Sequence, residues 1–199
     1  GNGARRMAMP GYSLIDLLVT MAVAGCVMSV SVPRLDGALD TWRTRGAAFF
    51  IAERVALTRM QAVHRSANVA LRFEPEDGTF RFRAYADGND NGVRSADIGV
   101  GYDPPITPPD RLDHLFPGAR FGFIPGARLI DGTAVAMGDD PIRFGSARMI
   151  ASAPAGTATS GTAYIRGRGP VQFAVVVLGA TGRARVVRFD PVTRQWLTP

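Results

Sequence analysis

Hydrophobic and polar positions divide this chain into three regimes. From Tyr12 to Val32 most positions are apolar and only Asp16 is charged. A helix of that length reaches about 30 Å, the thickness of a bilayer's hydrocarbon layer. Beyond Pro33, the residues Leu35, Leu39, Trp42, Gly46, Phe49, Glu53, Ala56, Met60 and Val63 recur three or four apart. That spacing predicts one face of a continuing amphipathic helix to about residue 66, with Trp42 and Phe49 turned into a core. After Ser66 the period drops to two. Val69, Leu71 and Phe73 alternate with their neighbours, Pro75-Glu76-Asp77-Gly78 supplies a turn, and Phe80, Phe82 and Ala84 alternate again. This predicts a β-hairpin.

Further on, residues 99–118 are rich in Gly, Pro and Asp and predict an irregular excursion. Short strands are expected at 120–124, 142–144 and 162–166, with a small, polar loop over 151–161. Val171 to Leu178, the turn Gly179-Ala180-Thr181-Gly182, and Arg183 to Phe189 predict a second hairpin. Its Val175-Val176-Val177 run reads as buried on both faces. One long N-terminal helix followed by antiparallel strands is an α+β arrangement.

Composition narrows the function. The chain has 199 residues, 46% apolar and 20% charged, with 23 Gly and 14 Pro, which fits one loop-rich globular domain plus an appendage. Every basic residue is arginine. The single cysteine, Cys26, excludes an intrachain disulfide and a cysteine-based zinc site, and His64 and His114 leave little for a histidine relay. No Ser/His/Asp set, phosphate loop, dinucleotide fingerprint or HExxH sequence is present, so no enzyme is expected. Asp139-Asp140 precedes Pro141 and reads as a turn. The net charge of +6 is uneven. Residues 87–140 are acidic, whereas residues 141–199 hold Arg143, Arg148, Arg166, Arg168, Arg183, Arg185, Arg188 and Arg194 against Asp190 alone. A basic region of that density suits nucleic acid or an acidic partner.

The apolar run is preceded by Arg5 and Arg6, which favours a cytoplasmic N-terminus. A secretory signal, a membrane anchor and a buried core helix compete for it, and its length and flanks disfavour the last. Asp16 inside it is costly in lipid without a partner. The run Gly11-Tyr12-Ser13-Leu14-Ile15-Asp16-Leu17-Leu18-Val19 resembles the class III signal of type IV prepilins and type II secretion pseudopilins. The resemblance implies cleavage by a prepilin peptidase after Gly11 and N-methylation of Tyr12. It also implies an assembly ion pair between Asp16 and the N-terminal ammonium of a neighbouring subunit. That family usually carries Phe or Met in place of Tyr12 and Glu in place of Asp16. Pro33 matches the proline that commonly kinks the first helix of pilins, as expected of a residue that removes a helix hydrogen bond. A rival signal, Val23-Ala24-Gly25-Cys26, fits a lipobox with Cys26 acylated.

The order of elements is similar to that of the GspH/FimT-like minor pilins and pseudopilins. On this resemblance residues 1–11 are a leader, 12–33 a transmembrane helix, 34–66 its amphipathic continuation, and 67–199 a periplasmic β-rich head. The implied protein is a single-pass subunit of the bacterial inner membrane, whose partners are other pilins or pseudopilins and the prepilin peptidase. Gly182-Arg183-Ala184-Arg185, with Arg188, matches the GRxR hairpin that FimT-like pilins use in DNA uptake, so DNA is a candidate partner through Arg183, Arg185 and Arg188. The same residues also read simply as the solvent face of a last strand. Asp87, Asn89, Asn91 and Gly92 begin an EF-hand-like calcium loop, yet Ile98 stands where its glutamate would be. An ordinary Asn/Asp/Gly turn fits that stretch as well.

Overall fold

The computed structural model describes residues 13–198, with backbone alone over 30–34. Gly11 and Tyr12 lie outside the described residues. The first element is one continuous helix, α1 (Leu14–Arg65). Chain contacts divide the protein into two units, residues 1–38 and 39–199. In the first unit the described side chains are exposed on every side of the helix, from Leu14 to Met28. Among the described residues no helix is long and apolar enough to cross a membrane. Side chains of the apolar run are described only over 13–29, short of the about 20 residues a span needs. Tyr12 and the side chains of 30–33, Pro33 included, fall outside.

The second unit packs the rest of α1 on two antiparallel sheets. One sheet is formed by β1 (Val69–Glu76), β2 (Thr79–Ala86), β3 (Asp110–Arg111) and β6 (Met149–Ser152), in the order β3-β2-β1-β6. The other runs β10-β9-β8-β7-β4. Its members are β4 (Arg120–Phe121), β7 (Gly161–Arg166), β8 (Gln172–Leu178), β9 (Arg183–Asp190) and β10 (Gln195–Leu197), and β5 (Ile142–Arg143) also pairs with β7. Short helices α2 (Ser95–Val100) and α3 (Leu112–Leu115) occupy the excursion after the first hairpin. Both predicted hairpins are present, with Phe73 opposite Phe82 and Val175 opposite Val186.

The buried face of the helix is a correction to the expected one. Thr44, Ala47, Ala48, Ile51, Val55, Thr58 and Ala62 meet the sheets, whereas Trp42 is 70% and Phe49 46% exposed. The periodicity of three and four was right, but the stripe faces the other way. Small side chains let the helix axis approach the sheets closely, so Ala and Thr serve the contact better than Trp. The two buried hydroxyls bond to carbonyls one turn back, Thr44 to Asp40 and Thr58 to Arg54. Below them Ile51 and Val55 join Phe73, Phe82, Phe121, Phe144, Ile165 and Phe173 in the main core.

The second sheet is covered on its far face too. Tyr164, Ala174 and Val187 pack there with Leu129, Phe123 and Trp196, and the Trp196 indole N–H donates to the carbonyls of Arg128 and Leu129. This is why Val175 and Val177 face the main core while Val176 is partly buried opposite. The expected loop over 151–161 is shortened: Ala151 and Ser152 belong to β6, paired with Ala70 and Val69. Small residues carry no alternation to read, and an existing strand edge recruited them.

Candidate functional site

Of Gly11, Tyr12 and Asp16, to which the N-terminal motif assigns roles, only Asp16 is among the described residues. It lies in the first turn of α1, where its carboxylate accepts the Ser13 backbone N–H at 3.3 Å. Ser13 Oγ in turn accepts the N–H of Ile15 at 3.4 Å. The two bonds cap the first turn, with the Asp16 half of a capping box formed and the serine hydroxyl on Ile15, and the Ser-x-x-Asp spacing was the overlooked sequence signal. Within the single chain, then, Asp16 helps start the helix. Cys26 is exposed on the same helix.

The C-terminal hairpin is a built turn. Gly182 has φ +59°, and a Cβ there would lie 2.6 Å from the Gly156 carbonyl and 2.8 Å from the Arg59 side chain. Arg59, on α1, donates to that same carbonyl at 2.9 Å. The turn is therefore held between the helix and the loop after β6, and only glycine fits it. Strand alternation then puts Arg183 and Arg185 on one face of β9, and Ala184 and Val186 against the main core. Arg188, opposite Phe173, stands on the other face. Arg183 and Arg185 are exposed and make no ion pair among the described residues. Arg166 ends β7 and Arg168 lies in the turn that follows, at the opposite end of these strands, about 20 Å away by strand length. Arg183 and Arg185 thus stand apart from Arg166 and Arg168.

The Asp87 loop is organised around its own acid. Asp87 is buried, and its carboxylate accepts the Gly92 N–H at 2.7 Å, the Asn68 amide at 3.0 Å and the Asn89 N–H at 3.3 Å. Burial pushes its carboxyl up, but these hydrogen bonds outweigh that and hold it below the usual carboxylate range. Asn89 Oδ1 accepts the Asn91 N–H, and Asp103 accepts the N–H groups of Gly88 and Arg94. The side-chain oxygens of Asp87 and Asn89 are turned to backbone N–H groups of the loop, the geometry of Asx turns. Among the described residues no group of three or more His, Cys, Asp or Glu is placed to hold a metal ion. Asp139 and Asp140 cap a turn through the N–H groups of Ala136 and Ile142.

Two features were missed from sequence. One is the exposed apolar stripe of Trp42, Phe49, Met60 and Val63, which periodicity located but turned inward. The other is an arginine cluster that only strand pairing assembles, with Arg120 directly opposite Arg166. No family model matches the chain, and no curated protein and no solved structure matches it.

Proposed function

We propose that this chain is a non-enzymatic filament subunit of the minor pilin or pseudopilin kind, cleaved after Gly11 and methylated on Tyr12. Residues 12–33 anchor it in the bacterial inner membrane, and the two-sheet unit is its periplasmic head. The observation that carries this reading is the uncovered apolar surface of α1. Leu14, Ile15, Leu17, Leu18, Met21 and Met28 are all more than half exposed, and Trp42 and Met60 continue the exposed surface further along. A helix apolar all round belongs in lipid or among other helices. Lateral packing of several such helices would cover it and bring Asp16 next to a neighbour's terminal ammonium, where opposite charges stabilise each other strongly in a low dielectric.

The test is processing and assembly in a host that carries a prepilin peptidase. Gly11→Ala should leave an uncleaved precursor in the membrane. Asp16→Ala should be cleaved yet enter filaments poorly, with Asp16→Glu retained. Mass spectrometry of the mature terminus should find N-methylated Tyr12; a diacylglyceryl Cys26 would establish the lipoprotein reading instead. Normal maturation of Gly11→Ala would remove the proposal.

A second reading, a FimT-like subunit that captures DNA, is favoured by Arg183 and Arg185, exposed beside a closely packed turn and without an ion pair among the described residues. Phosphate contacts of this kind weaken steeply with salt and do not depend on sequence. Duplex DNA titrated at two salt concentrations should bind through these residues, and the double Arg183→Gln, Arg185→Gln variant should lose that binding. No binding at low salt would leave assembly alone.

A further inference from the structure

Arginine faces arginine across neighbouring strands three times in this fold: Arg72 opposite Arg83, Arg81 opposite Arg111, and Arg120 opposite Arg166. Like charges placed so are destabilising unless something neutralises them. The first two pairs are neutralised from within. Glu74 lies 3.5 Å from Arg72 and 2.8 Å from Arg81, Glu76 lies 2.9 Å from Arg81, and Asp113 lies 2.9 Å from Arg111.

No carboxylate among the described residues forms an ion pair with the third, although the charge of Asp40 also reaches Arg166. Neither Arg120 nor Arg166 makes an ion pair among the described residues, and neither does Arg168 beside them. Arg166 is partly committed, its guanidinium donating to the carbonyls of Phe123 and Gly167. Burial, and then the charge of Arg120, make Arg166 less basic than an ordinary arginine. Arg168 is held on a fixed turn. Its backbone N–H and that of Gly169 donate to Asp40 at 3.0 and 2.9 Å, and its side chain lies over Gly118.

Next to this cluster is a cavity of about 360 Å³ lined by Thr79, Gly118, Arg111, Arg120 and Arg168, with Asp77 and Asp113. Arg111 is already occupied by Asp113 in a two-point contact. Arg120 and Arg168 remain as free donors.

We propose that Arg120 and Arg168 bind a phosphate group in this cavity, with Arg166 supplying a third, longer-range positive charge. Guanidinium forks match the geometry of phosphate oxygens. The site is independent of the filament reading and lies at the opposite end of the sheet from Arg183 and Arg185.

The experiment uses the full chain in a non-ionic detergent. Inorganic phosphate is titrated against chloride at constant ionic strength, with heat of binding and melting temperature as readouts. Saturable binding of one phosphate per chain is expected. At about a hundredfold over Kd it should raise the melting temperature by several degrees. Arg120→Gln and Arg168→Gln should each weaken binding about tenfold. Arg120→Gln should also melt higher than the parent chain in phosphate-free buffer, because it removes the opposed charge, which a merely structural arginine would not do. Arg65→Gln, at the far end of α1 from Asp40 and about 37 Å along the helix, should change nothing. Dihexanoyl phosphatidylglycerol and glycerol 3-phosphate, compared as competitors, distinguish a lipid headgroup from a soluble phosphate ester as the source. No saturable binding, or binding undiminished in the Arg120→Gln, Arg168→Gln double variant, overturns the proposal.

Discussion

The carboxylate of Asp40 reaches Gly167 so closely that a Cβ on that glycine would lie 2.5 Å from Asp40 Oδ2. The same carboxylate accepts the next two backbone N–H groups of the turn, from Arg168 and Gly169. A helix side chain thereby organises a turn distant in sequence, and the absence of a side chain at residue 167 makes the approach possible. Gly167→Ala should cost about 1–3 kcal/mol through overpacking. Asp40→Ala should cost a similar amount, because two N–H groups lose a charged acceptor. Denaturant unfolding of both variants checks this; a Gly167→Ala protein as stable as the parent would show that the turn has room to spare.

The two faces of α1 should respond oppositely to truncation. Ile51→Ala removes a fully buried side chain and should destabilise by about 2–5 kcal/mol. Trp42→Ala should cost less than about 1 kcal/mol, since Trp42 is mostly exposed. On the filament proposal the ranking reverses in an assembly assay, where Trp42→Ala is folded and processed but incorporates poorly. Equal incorporation of Trp42→Ala and the parent would detach the exposed stripe from assembly.

Gly182→Ala should be among the most disruptive turn substitutions. It combines a left-handed backbone with close approach to Gly156 and Arg59, each worth roughly 1–3 kcal/mol. Arg59→Ala should relieve the steric part while losing the hydrogen bond to Gly156. A double-mutant cycle on residues 59 and 182 should therefore be non-additive. Additivity would mean that the turn conformation alone demands glycine.

Acid should loosen the Asp87 loop. The Asp87 carboxyl lies below its usual range in the folded protein, so its stabilisation is fully present above an unfolded value of about 3.9. It is lost as pH falls from there through the folded value. Asp87→Asn should cost about 1–3 kcal/mol at pH 7 and progressively less below pH 4. Melting curves of both proteins at pH 7 and pH 3 check the sign: the gap between them should narrow in acid.

Both hairpins and the extent of the helix could be read along the chain because period and turn chemistry are local. Val69, Leu71 and Phe73 alternate whatever they later touch, and Gly78 and Gly182 close turns between runs that are already extended. The pattern of Gly11, Asp16 and the apolar run is local in the same sense. Which way α1 faces was decided only by packing. A three-four repeat describes two stripes equally well, and the sheets selected Ala47, Ala48 and Thr58 over Trp42 and Phe49 because small side chains permit close approach. Likewise the arginine count announces a basic region but not its geometry. Strand pairing sets Arg120 against Arg166, alternation sends Arg188 away from Arg185, and strand length separates the two ends. Opposition across a sheet is a property of register between segments remote in the chain, and no single segment carries that register alone.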